Sequence, residues 1–271
     1  MIPTAAFITC AISLAVSLVL PVLALLIFTV KNRKQGILSA WLLGAAGFVV
    51  TQLLIRVPIL NALAVQDWFI RFSQSHLFLY AFSLAFTAGL FELAGRFAVA
   101  KLMQKNLTYN RSLAAGLGHG GIEAMVLVGI TYINNLAYMA MINAGTFDAA
   151  VAQTAAMGVD VGQLELLKVQ LLTTSPALYL LGGFERLLAM TAHAAMSMLV
   201  CYGVAQKKVL PCTLVCLGIH TFIDLTAGLT LILPQTTAYL VIYSILTAVA
   251  VVSVLVIRRI SRSWKEVSRE K

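Results

Sequence analysis

Four stretches of this sequence set acids and bases at helical spacing inside otherwise apolar runs. Glu92 and Arg96 stand in F-E-L-A-G-R, and His119 and Glu123 in G-H-G-G-I-E-A. Glu185, Arg186 and His193 stand in F-E-R-L-L-A-M-T-A-H, and His220 and Asp224 in H-T-F-I-D. Glu92/Arg96, His119/Glu123 and His220/Asp224 are each four apart, which puts both members on one face of a helix. Carboxylates and imidazoles together suit zinc, which takes three protein N or O ligands and leaves a fourth position for water. A further carboxylate beside such an ion can take a proton from that water. The same residue types can also form a proton relay, or simply hydrogen-bonded packing contacts. Glu92 and Arg96 can neutralise each other. Glu185 and Arg186 are adjacent, so they are expected to point apart and to need separate partners.

The elements that must carry these residues are membrane helices. Of 271 residues, 61% are hydrophobic and 11% charged, with a mean hydropathy of +0.94, outside the range of soluble globular domains. The net charge of +9 does not point to nucleic acid, because the cations cluster between long apolar runs as membrane-flanking loops do. A bilayer core takes roughly 20 apolar helical residues to cross. Residues 4–30, 37–60, 76–100, 112–142, 177–204, 209–233 and 238–257 meet that criterion. The expected fold is therefore all-α, a polytopic bundle of about seven transmembrane helices forming one integral membrane domain. Its core would span about residues 76–233, flanked by peripheral helices 4–30, 37–60 and 238–257 and a basic tail, 258–271. Residues 1–30 lack a basic leading segment and read as a span rather than a cleaved leader. Residues 163–174 are apolar but short, which predicts an interfacial or re-entrant helix within a long connection, 143–175. Ser175-Pro176 then starts the fifth helix.

Lysine and arginine set the expected orientation. Lys31, Arg33, Lys34, Lys101, Lys105, Arg111, Lys207, Lys208 and the tail from Arg258 fall on one side of seven crossings; Arg71 and Lys168 fall on the other. The rich side is expected to be cytoplasmic, with the N-terminus outside and the C-terminus inside. Trp41 and Trp68 fit an aromatic belt, and Arg56 reads as a snorkelling side chain. Cys10, Cys201, Cys212 and Cys216 lie in apolar segments and read as packing residues, although Cys212 and Cys216 are one turn apart.

A charge near the bilayer centre costs at least about 2.5 to 3.5 kcal/mol, so unpaired intramembrane acids call for a role. Counting 1.5 Å per residue from the cytoplasmic side, Glu123, His193 and His220 share a depth of roughly 17 to 20 Å. Glu92 and His119 lie at roughly 12 to 14 Å by the same count. The common level predicts Glu123, His193 and His220 as zinc ligands, with Asp224 as a further ligand or an acceptor fixing an imidazole. Glu92 suits the general base, and the glycines flanking His119 suit close helix approach.

The series E-x-x-x-R, G-H-G-G-I-E, E-R with a histidine seven residues after the arginine, and H-x-x-x-D resembles the YhfC family of intramembrane metalloproteases. That family is related to the PrsW-type proteases and the type II CAAX prenyl endopeptidases (the CPBP group). The resemblance runs from Glu92 to Asp224 and implies a peptidase acting on membrane-embedded or membrane-adjacent peptide bonds in a bacterial plasma membrane. By that likeness Glu92 and Arg96 belong to the first motif, in which Phe91 replaces the usual leading glutamate. Glu123 matches the second, and His193 and His220 the later histidines; Arg96 or His119 would stabilise the oxyanion. Glu185 and Arg186 are expected behind the ligands. A proton-coupled carrier and a non-catalytic scaffold, which the same superfamily includes, remain open alternatives; partners in any case include the lipid bilayer.

Overall fold

The computed structural model describes the backbone of residues 1–269 and side chains through residue 264. Among the described residues there is no strand, and seven helices are long and apolar enough to cross a bilayer. In chain order the spans are Thr4–Lys31, Ile37–Ala64, Leu77–Leu102, Tyr109–Ala144, Pro176–Ala205, Val209–Leu231 and Gln235–Trp264. The basic tail continues the last helix to Arg269, and its final two residues lie outside the described residues. Pro176 is the first helical residue of the fifth span, where its missing N–H costs nothing.

The connection expected to hold one short helix holds two, Phe147–Ala156 and Gly162–Thr173. Gly145, at φ 73°, closes the helix before the first of them, and Gly158, at φ 80°, follows its end. Both adopt the left-handed conformation that ends helices and favours glycine. Lys168 Nζ pairs with Asp148 at 2.5 Å and ties the two short helices together.

The chain divides into two compact units. The first comprises Met1–Val22 and Ala124–Leu187. Its core gathers Cys10, Tyr132, Met139, Leu171 and Tyr179. There the hydroxyls of Ser13 and Tyr132 both donate to the Tyr179 carbonyl, at 2.7 and 2.9 Å. The second unit comprises Leu23–Glu123 and Leu188–Lys271, with a core that includes Ala40, Ala100, Ala114, Ala115, Met196 and Val200.

Small residues set the helix separations in the second unit. A Cβ at Gly118 would overlap the backbone of Trp41, and one at Gly120 would come within 2.9 Å of the His193 Cβ. The fourth span is thus seated directly against the second and fifth, with His119 held between those two contacts. Trp41 is buried in this seam rather than placed in an aromatic belt. All four cysteines are buried and unbridged.

Candidate metal centre

Glu92, Arg96, His119, Glu123, His193, His220 and Asp224 all belong to the second unit. Four spans supply them: the third gives Glu92 and Arg96, the fourth His119 and Glu123, the fifth His193, the sixth His220 and Asp224. Glu92, Arg96, His119, Glu123, His193 and His220 are all buried.

Glu92 is the hub. Its Oε2 lies 2.8 Å from Arg96 Nη2, 2.9 Å from His119 Nε2, 3.5 Å from His193 Nδ1 and 3.6 Å from His220 Nδ1. Its Oε1 accepts from Gln52 Nε2 at 2.8 Å. The guanidinium of Arg96 bridges two imidazoles, with Nη2 2.6 Å from His193 Nδ1 and Nη1 3.3 Å from His220 Nδ1. A guanidinium only donates, so both Nδ1 atoms must accept and the protons must sit on Nε2. Those Nε2 atoms meet carboxylates: Glu123 Oε2 at 2.9 Å from His193, and Asp224 Oδ2 at 3.2 Å from His220. Each imidazole is therefore fixed in orientation and tautomer by an acid on its far side, as histidines that ligate metals commonly are.

Glu92, His119, Glu123 and His193 offer ligand atoms that all lie within 4.8 Å of one another. Two carboxylates and two imidazoles in a buried pocket are a donor set suited to zinc and to other divalent first-row ions. Counting Glu92, Glu123 and Asp224 against Arg56 and Arg96, the surroundings carry a net negative balance, which also favours a cation. His220 and Asp224 stand beside this group, closed on each other, with His220 Nδ1 facing Glu92 and Arg96.

Glu185 and Arg186 lie in the first unit. Contrary to the expectation of separate partners, they form an ion pair with each other. Both side chains are long enough to curl back along the helix surface and meet, although their Cβ atoms diverge.

Of two further residues in the network, Gln52 escaped the sequence reading and Arg56 entered it only as a snorkelling side chain. Gln52 and Arg56 lie in a π-helical stretch of the second span, Val49–Arg56. Arg56 Nη1 donates to Gln52 Oε1 at 3.3 Å, Nη2 to the Leu84 carbonyl at 2.7 Å and Nε to Thr87 Oγ1 at 3.3 Å. Arg56 is therefore held inward rather than snorkelling. It orients the Gln52 amide so that Nε2 faces Glu92. The available signal was the Gln52/Arg56 spacing of four, the same as in the recognised pairs. Beside this network a cavity of about 430 Å³ is lined by Arg56, Tyr80, Leu84, Ala88, Asp224 and Gly228 among others. Two of its polar lining residues, Arg56 and Asp224, pair with Gln52 and His220 of the network.

The family model of the YhfC intramembrane metalloprotease matches residues 16–256. A Bacillus subtilis (strain 168) protein described as the uncharacterized membrane protein YhfC is 29% identical over 210 residues, 77% of this chain and 79% of that protein. No solved structure matches the chain. The match takes in all the motif-bearing spans and most of the sequence, and this multi-pass membrane protein belongs to the YhfC intramembrane metalloprotease family.

Proposed function

We propose that the chain is a metal-dependent intramembrane peptidase, with zinc held by Glu123, His193 and His119 and with Glu92 as general base. The observation that carries this reading is the closure of four buried N/O donors within 4.8 Å of one another. His119 takes the ligand place that a common depth suggested for His220, because His119 is one of the four residues whose ligand atoms close on one another. Zinc bound there supplies Lewis acidity to water and to a substrate carbonyl.

Glu92 accepts the proton of the attacking water at Oε2 and passes it to the leaving amine, while Gln52 holds Oε1 and keeps the carboxylate in one rotamer. Arg96 donates to the negative charge that develops on the carbonyl oxygen. His220, fixed by Asp224, presents a lone pair at Nδ1 and keeps the guanidinium in place between substrate and base. Burial of the whole group excludes bulk water and strengthens each of these interactions. The substrate is a peptide bond in a membrane-embedded or membrane-adjacent segment, reached through the cavity between the third and sixth spans.

The deciding measurement is metal content of the detergent-purified protein by mass spectrometry. Near-stoichiometric zinc in the wild type is expected, lost in His193→Ala and reduced in His119→Ala while both remain folded. Absence of bound metal after zinc is supplied at neutral pH would sink the reading. Phe91 in place of the leading glutamate of the first motif favours a second reading, a scaffold that keeps the fold without hydrolysis. That reading requires Glu92→Ala and Glu123→Ala to leave biological function intact.

A further inference from the structure

The Arg96 guanidinium stands where a cation drawn by Glu92 and His193 would stand. Its Nη2 is 2.8 Å from Glu92 Oε2 and 2.6 Å from His193 Nδ1. A zinc ion would lie about 2.0 to 2.2 Å from such oxygen and nitrogen atoms. The guanidinium nitrogen thus lies about half an ångström farther from His193 Nδ1 than a zinc ion bound to that atom would, and beside the Glu92 carboxylate. Nη1 extends the bridge to His220 Nδ1 at 3.3 Å. Lone pairs that an ion would need are already donated to, and a divalent ion within hydrogen-bond distance of a guanidinium in a buried site is strongly repelled.

A second feature bears on how firmly the guanidinium is held. Arg96 Nε is buried with no protein acceptor, and Ser197 Oγ, in the lining of the same small cavity, also has none. That cavity measures about 10 Å³, room for one water at most. An unanswered buried N–H offsets part of what the bridging contacts gain. The bridge is therefore a hold that can be released.

We propose that Arg96 is the exchangeable internal cation of this site. Its guanidinium satisfies Glu92, His193 and His220 while the metal is absent; it must leave the His193 Nδ1 lone pair for the metal to bind there, and in leaving it frees the Glu92 Oε2 that serves as base. The inference rests on the metal-centre reading of the same residues. The site then exists in a closed state, occupied by the guanidinium, and an open state that takes metal. Observed affinity is the intrinsic affinity multiplied by the open fraction. The guanidinium released by the metal is free to meet a substrate carbonyl, so metal loading and assembly of the catalytic donor become one event.

The test is titration of detergent-purified full-length protein with cobalt(II) and zinc(II), read by calorimetry and by the visible absorption of cobalt. The wild type is compared with Arg96→Gln and Arg96→Lys. Arg96→Gln removes the bridge and its charge and is expected to bind metal about tenfold more tightly or better, the effect of a closed state that dominates by that ratio. Arg96→Lys keeps the charge but cannot span Glu92 and both imidazoles. It is expected to bind several-fold more tightly than wild type, which separates displacement from simple charge repulsion. Should Arg96→Gln fail to fold, the lysine variant carries the same comparison. Equal affinity of the lysine variant and the wild type overturns the proposal and leaves the metal centre standing. No binding by any of the three overturns both.

Discussion

With Oε1 tied to Gln52 and Oε2 facing Arg96 and His119, the Glu92 carboxylate can change rotamer only by breaking several buried hydrogen bonds. Glu92→Gln keeps the shape and removes the base. It is expected to lower turnover by roughly 10²- to 10⁴-fold in a peptide-cleavage assay, the usual contribution of a positioned base. Retained turnover would remove Glu92 from that role. Gln52→Leu leaves Oε1 without its donor, so a loss of about 1 to 3 kcal/mol in unfolding free energy is expected. Metal content should change little, because Gln52 contributes no ligand atom. The pairs at spacing four were legible in the sequence because a charge in an apolar run is costly and a partner one turn away is the simplest compensation. Gln52 was not legible, being uncharged and therefore inexpensive to insert. Arg56 was misread because nearness to a helix end is the usual setting for snorkelling, and nothing in the sequence marks the π-helical turn that directs it inward.

Among the elements, the spans were legible to within a few residues at most ends, since length and hydropathy are what a bilayer selects. The fourth, expected at 112–142, runs from Tyr109 to Ala144; what the sequence did not show is its change to a π-helical stretch at Ala124–Gly129 directly after Glu123. Such single-turn departures recur at functional sites and re-aim the side chains beside them. The glycines around His119 were read correctly as points of close approach, but which helices they meet depends on tertiary packing. Gly118→Ala drives a methyl into the Trp41 backbone and is expected to destabilise by about 1 to 3 kcal/mol. Gly218, in the sixth span, has nothing within 4 Å of the corresponding position. Gly218→Ala is expected to be neutral or to stabilise by about 0.5 to 1 kcal/mol through helix propensity. Thermal melts of the two variants in one detergent check this contrast. Equal effects would mean that the seam between the second and fourth spans is not what fixes His119.

At the scale of the whole molecule, an odd number of crossings, as the seven candidate spans among the described residues imply, would put the two ends of the chain on opposite faces of the membrane. Basic residues then argue which face is which. Lys105 and Asp148 fall on opposite sides of the fourth span, and both side chains are exposed. If the lysine-rich side is cytoplasmic, Asp148→Cys is expected to react with a membrane-impermeant thiol reagent in intact cells, whereas Lys105→Cys reacts only after lysis. The four native cysteines are buried, which keeps the background low. Orientation matters to the proposed chemistry because Glu92, by residue count, lies nearer the lysine-rich end of its span than the other end. Glu92 lies nine residues before Lys101, about 13 Å along the third span. On the proposed function and in that orientation, a peptide bond brought to Glu92 would be cut in the cytoplasmic half of the bilayer, and the shorter path for a polar product would run to the cytoplasm. The opposite labelling pattern would turn that path around and place the same centre nearer the outer surface, so the thiol experiment also decides where cleavage products should be sought.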